Sequence, residues 1–148
     1  MQIKTQFGSE TTLVNCEYSA RKILVYPGRR SDFLYHPRQD KTLLVNSGRL
    51  LVRFVPPRPW NEYTAAGLSA EACRKRFLVR FLGAGESMHV PPDTPHQFEA
   101  LSGNLGPVEF LELATHHDPL DVVVVLRHDD PVFTQPSWEA RHARDRGR

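Results

Sequence analysis

The chain has 148 residues, 40% hydrophobic and 24% charged, with a formal net charge of +2. That length fits one domain, since two would each have a thin core, and the composition is that of an ordinary globular protein. The arginines are scattered or gathered in the last ten residues, EARHARDRGR, so no basic folded face with interleaved aromatics argues for nucleic acid. The N-terminus, MQIKTQFGSE, has no apolar signal-peptide core. Apolar runs such as Val122 to Leu126 fall far short of the roughly 20 residues of a membrane span. Cys16 and Cys73 stand far apart and match no CxxC pattern, so they read as reduced thiols of a cytoplasmic protein.

In chain order, strands are predicted at 21–26, 31–35, 42–46, 50–55, 77–82, 87–90, 97–100, 108–113 and 122–126. They are rich in Val, Leu and Phe, and several alternate apolar with polar residues. Pro27-Gly28, Ser47-Gly48, Gly83-Ala84-Gly85, Pro91-Pro92-Asp93 and Ser102-Gly103-Asn104 separate them. Those are turn sequences, in which Gly or Asn supplies positive φ and Pro pre-sets it. Many short strands joined this way predict an all-β sandwich or barrel.

One stretch breaks the pattern. PPRPW, from Pro56 to Trp60, is too proline-rich for a central strand. Ser69 then has the chemistry of an N-cap for a short helix, AEACRKR, with Glu71 near its start and Arg74, Lys75 and Arg76 at its end. Residues 56–76 therefore read as an insertion between two strands, either a binding loop or a surface excursion. The chain divides into one domain over 1–136, with a barrel core over 21–126, and a basic, solvated and mobile tail over 137–148.

Two segments resemble the signatures of the cupin superfamily. PGRRSDFLYHPRQDKTLLVNSG, from Pro27 to Gly48, is similar to the first, in which a Gly precedes a His-x-His pair, a Glu and a second Gly. GAGESMHVPPDTPHQF, from Gly83 to Phe98, is similar to the second, in which Gly and Pro lead to a third His. The nearest likeness is to mannose-6-phosphate-isomerase-like cupins, which share the strand–PG–turn opening and a tail like FLELATHHDPLDVVVV. The resemblance spans about Lys22 to Val125 and implies an antiparallel jelly-roll barrel whose interior holds one small ligand. Asp93 stands where the family usually has Gly, but Asp tolerates left-handed backbone and the turn survives. Cupins often dimerise, so a homodimer is implied.

Metal-binding cupins hold a divalent ion on three His and one Glu, and the resemblance maps these positions unevenly. His36 matches one His of the first pair and His96 the third His, so these two are the metal ligands if a metal is bound. Its partner in the pair is Arg38 or Leu34, depending on register, and neither is a ligand. Lys41 takes the place of the Glu, and its ammonium would repel a divalent cation. The expected cofactor is therefore none, or a weakly bound Fe, Mn, Ni or Zn. Asp40 would face away from the site in a strand. His89 reads as a surface histidine, and His116 and His117 as solvated loop residues. Arg53, Arg80 and Glu112 interrupt apolar strands and either face solvent or line the cavity. Tyr35 and Gln97 should turn away from the histidines beside them, and Trp60 and Trp138 read as packing or rim residues.

Three functional readings remain open. In the first, an enzyme isomerises or epimerises a sugar or sugar phosphate, with His36, His96 and Lys41 as catalytic groups. Arg38, Arg80 and Glu112 would then bind the small polar or anionic ligand. In the second, the same residues bind a ligand without chemistry. In the third, a dioxygenase or isomerase uses a metal on His36, His96 and a further group such as Glu112 or Asp40.

Overall fold

A computed structural model describes residues 1–56 and 69–130. Trp60, Trp138, the proline-rich segment beyond Pro56 and the basic tail lie outside the described residues. Among those described, no helix is long and apolar enough to cross a membrane.

The strands form two antiparallel sheets. The first runs β1 (Gln2–Lys4), β2 (Gly8–Asn15), β3 (Tyr18–Val25), β10 (Val108–Thr115), β5 (Lys41–Ser47) and β8 (Ser87–Val90). The second runs β11 (Val123–Leu126), β4 (Phe33–Tyr35), β9 (His96–Ala100), β6 (Leu50–Phe54) and β7 (Leu78–Leu82). From β3 onward the chain passes repeatedly from one sheet to the other. The expected antiparallel all-β architecture with one short helix is observed. Its sheets stay separate ladders and do not close into one hydrogen-bonded barrel among the described residues.

Alternation along the strands sets the inner face. Ile23 and Val25 of β3, Val108 and Phe110 of β10, Leu43 and Val45 of β5 and Met88 and Val90 of β8 are buried. They pack against Leu50 and Val52 of β6, Leu82 of β7 and Phe98 and Ala100 of β9 in one cluster. Phe7, Phe98 and Phe110 meet edge to face, with ring centroids 4.9 and 5.1 Å apart, an arrangement that aromatic quadrupoles favour. The apolar filling occupies only one end of the sandwich. At the other end the same alternation turns Arg21, Lys41 and Glu112 inward, all nearly fully buried. Register brings them together: Glu112 is paired with Arg21 on β3 and with Leu43 on β5, next but one to Lys41.

β1 and β2 went unpredicted. GSETTLVN carries Thr and Ser where an apolar alternation would have announced a strand, although Thr suits a pleated surface well. Two turns behave as expected. Gly48 has φ +81, and a Cβ there would meet a Val108 side-chain carbon at 3.0 Å and its Cα at 3.2 Å. Asp93, in the place of a Gly, adopts φ 58, which a short polar side chain tolerates.

α1 (Ala70–Arg76) starts at Ser69, whose Oγ accepts a hydrogen bond from the Ala72 amide at 3.1 Å. Cys73 is its buried residue and joins Phe33 of β4 and Leu126 of β11 in a second apolar cluster. Phe33 and Tyr35 alternate with the inward-facing Leu34, so the helix covers the outer face of the second sheet.

Candidate functional site

The polar end of the sandwich is a cavity of about 300 Å³. Its two walls come from different sheets.

On the second-sheet wall, His36 follows the end of β4 and His96 opens β9, with Leu34 opposite His96 in the ladder. The His36 Nδ1 lies 2.6 Å from the Asp121 carbonyl oxygen, and the His96 Nδ1 lies 2.8 Å from that of Thr94. A carbonyl only accepts, so each ring carries its proton on Nδ1 and keeps Nε2 as an unprotonated acceptor. The ring centroids are 6.1 Å apart. Burial, reinforced by the Lys41 charge, lowers the His36 pKa to about 4 and that of His96 to about 3. Both imidazoles are therefore neutral at neutral pH.

The first-sheet wall is a row of alternating charges. Arg21 reaches Glu10 through Nη1 at 2.8 Å, and Glu112 Oε1 through Nε at 3.2 Å and Nη2 at 2.5 Å. The Lys41 Nζ donates to the second Glu112 oxygen at 3.2 Å. Burial alone would raise the Glu112 carboxyl pKa, but Lys41 and Arg21 together hold it well below the usual carboxylate range. Burial also lowers the Lys41 ammonium; Glu112 opposes that and Arg21 adds to it. Two carboxylates match two cations, so the row is close to neutral as a whole.

Phe7 and Phe98 line the cavity towards the apolar core, while the exposed Gln6, Pro119 and Val122 lie at its rim. The segment between β10 and β11 forms part of that rim and is tied down from both sides. The His117 amide donates to Asn15 Oδ1 at 3.0 Å, and Asn15 Nδ2 returns a bond to the His117 carbonyl at 3.2 Å. The Asp121 carboxylate accepts from the amides of Arg38 and Gln39, the latter at 3.0 Å. One residue thus clamps the loop after His36 with its side chain and orients His36 with its carbonyl.

Four of the sequence candidates, His36, His96, Lys41 and Glu112, surround this one cavity. Two do not. Arg38 is exposed, with its amide turned to Asp121, and Arg80 is exposed on β7 opposite Val52. Neither lines the cavity, so of the three expected ligand-binding residues only Glu112 borders it. The open register also resolves, because Leu34 lines the cavity and Arg38 does not. Arg53 lies on the face away from the cavity, bonded to Gln97 at 3.0 Å and Glu99 at 3.1 Å. His89 is exposed and meets Asp40 at 2.5 Å on the outer surface. His116 turns to the Cys16 carbonyl, but His117 is half-buried and lines the cavity, which corrects its reading as a solvated residue. Arg21 and Glu10 went unrecognised. Alternation with Ile23 and Val25 was the available signal for Arg21.

The donor set does not suit a cupin-type metal centre. Among the described residues no three His, Cys, Asp or Glu side chains are grouped to hold an ion. Two Nε2 atoms are available, Leu34 offers no donor, Lys41 is cationic, and both Glu112 oxygens are engaged.

No protein-family model matches the sequence, and no curated protein matches it. Solved structures do match in shape. The capsular polysaccharide assembling protein CapF from Staphylococcus aureus superposes with a TM-score of 0.65 at 16% identity, over 85% of this chain and 34% of CapF. The L-ribose isomerase of Cellulomonas parahominis, with L-ribose, gives 0.64 at 16% identity over 78% of this chain and 68% of its own. Oxalate decarboxylase from Lactobacillus farciminis gives 0.62 at 14% identity over 84% and 33%. This chain thus spans about a third of CapF and of the decarboxylase. The architecture is the cupin fold. Within it, the chain combines a neutral imidazole pair with a self-neutralised row of buried charges.

Proposed function

We propose that the cavity binds a small, uncharged, hydroxylated carbonyl compound of the sugar class and moves a proton on it, as an isomerase or epimerase does. The observation that carries this reading is the pair of free Nε2 acceptors on His36 and His96 facing a cationic Lys41 across one cavity. The volume, about 300 Å³, is at the small end of ligand sites. A phosphorylated sugar fits less well, because the carboxylates of Glu10 and Glu112 already match the cations of Arg21 and Lys41. The L-ribose isomerase of the same fold acts on a ligand of this class. In the proposed step one imidazole takes a proton from the carbon beside the carbonyl. A remaining Lys41 N–H steadies the developing oxyanion, and the proton returns at the neighbouring carbon.

Exchange of the carbon-bound hydrogen in deuterated water, followed by NMR over a panel of pentoses and hexoses, tests this reading. Exchange should occur with at least one sugar and fall by about 10²-fold or more in His36→Ala or His96→Ala. Binding without exchange would instead support a purely ligand-binding cupin. That second reading draws on the pKa values of about 4 and about 3, which make both imidazoles weak bases. We further read the chain as cytoplasmic, from its free Cys16 and Cys73. The exposed Leu13, Tyr18 and Leu113 support a homodimer.

A further inference from the structure

We propose that Lys41 is a carbonyl-reactive lysine that forms an imine with the molecule bound in the cavity. The inference rests on the carbonyl-compound reading above and gives Lys41 a covalent role in place of steadying the oxyanion. The chain has four lysines, Lys4, Lys22, Lys41 and Lys75. Lys4 and Lys75 are exposed and Lys22 half-exposed, whereas Lys41 is 3% exposed and lines the cavity. A buried primary amine at a cavity wall is a usual setting for Schiff-base chemistry, because burial favours the neutral nucleophilic form.

The surroundings permit that form. The hydrogen-bond partner of Lys41 is Glu112, whose other oxygen is held by two Arg21 N–H groups. Glu112 therefore keeps a cationic partner when Lys41 gives up its proton. His36 and His96 lie on the facing wall with Nε2 free, so acceptors stand ready for the protons that imine formation must move.

The step balances without a co-reactant. Lys41 first releases one proton to water through the cavity mouth. The Nζ lone pair then attacks the carbonyl carbon while the C=O π pair moves to oxygen, which takes up a proton. That proton comes from the attacking nitrogen, relayed by an imidazole, and the carbinolamine then loses its hydroxyl with the one remaining nitrogen proton as one water, leaving C=N. The sum is amine plus carbonyl giving imine plus water, with no oxidation or reduction.

The test treats the intact protein with glycolaldehyde and cyanoborohydride near neutral pH, then maps the adducts by peptide mass spectrometry. Burial favours the neutral amine at Lys41, so Lys41 should be labelled at least about tenfold faster than Lys4, Lys22 and Lys75. Lys41→Arg keeps the charge opposite Glu112 and should abolish the fast adduct while circular dichroism stays unchanged. Labelling of Lys41 no faster than the exposed lysines, or an undiminished fast adduct in Lys41→Arg, would overturn the proposal. Hydrogen exchange on a sugar by wild-type protein without a Lys41 adduct would sink the imine and leave the proposed function standing. A fast Lys41 adduct without sugar exchange would do the reverse.

Discussion

On the first-sheet wall of the cavity, Glu10, Arg21, Glu112 and Lys41 alternate in sign and satisfy one another. On the facing wall, His36 and His96 each give one nitrogen to a backbone carbonyl and leave the other free. The first wall is largely spent on itself, since buried charges survive only when matched. The second is anchored on one side and open on the other. At neutral pH stability should therefore follow the charged wall, and ligand chemistry the imidazole wall together with Lys41, whose ammonium keeps N–H groups beyond its Glu112 bond.

The largest expected effect is on acid stability, and it belongs to the imidazoles. Their pKa values are lowered from 6.5 to about 4 and about 3, so below pH 6.5 the unfolded chain takes up protons that the folded one refuses. Stability is then fully present above 6.5 and is lost as pH falls through 4 towards 3. At about 1.4 kcal/mol per pKa unit, several kcal/mol should disappear over that range. Urea unfolding across a pH series reads this directly, and His36→Gln with His96→Gln should flatten the slope. A slope unchanged by the double substitution would break the assignment to this wall.

Next in size is Glu112→Gln, which leaves Arg21 and Lys41 buried without their shared carboxylate. Removing one partner of a buried pair costs roughly 3–5 kcal/mol, a drop in the thermal midpoint on the order of 10 °C. Lys41→Met should cost clearly less, because Glu112 stays bonded to Arg21. Equal losses from the two variants would mean that the row is not organised around Glu112.

A smaller effect tests how the imidazole wall is anchored. Asp121→Ala removes the acceptor for the Arg38 and Gln39 amides and should cost about 1–3 kcal/mol. It leaves a carbonyl for His36 but frees the loop that presents it. Smallest of all, Arg38→Ala and Arg80→Ala should each change stability by no more than about 0.5 kcal/mol. Neither should alter sugar binding in calorimetry, since neither lines the cavity.

The parts legible in the sequence were those governed by local chemistry. Gly48 and Asp93 sit in positive-φ turns, Ser69 caps its helix, and period-two apolar runs mark the strands from β3 onward. The two signature histidines and Lys41 followed from the resemblance of two short segments to the cupin signatures. What stayed hidden depends on distant pairing. Arg21 meets Glu112 across 91 positions, and no local pattern distinguishes an inward charge with a partner from an outward one. Glu112 was therefore left between solvent and cavity, and Arg80 was a candidate on equal terms. His117 was misread because a loop residue's side depends on what clamps the loop, here Asn15 across 102 positions.

The most direct test of the imidazole wall is the ¹⁵N NMR spectrum of the histidine rings at neutral pH, recorded with and without L-ribose. His36 and His96 should be neutral with the proton on Nδ1, and the sugar should shift their Nε2 signals. An imidazolium or an Nε2–H ring in the free protein would contradict this. So would a spectrum in which L-ribose moves neither ring while ribose 5-phosphate moves both.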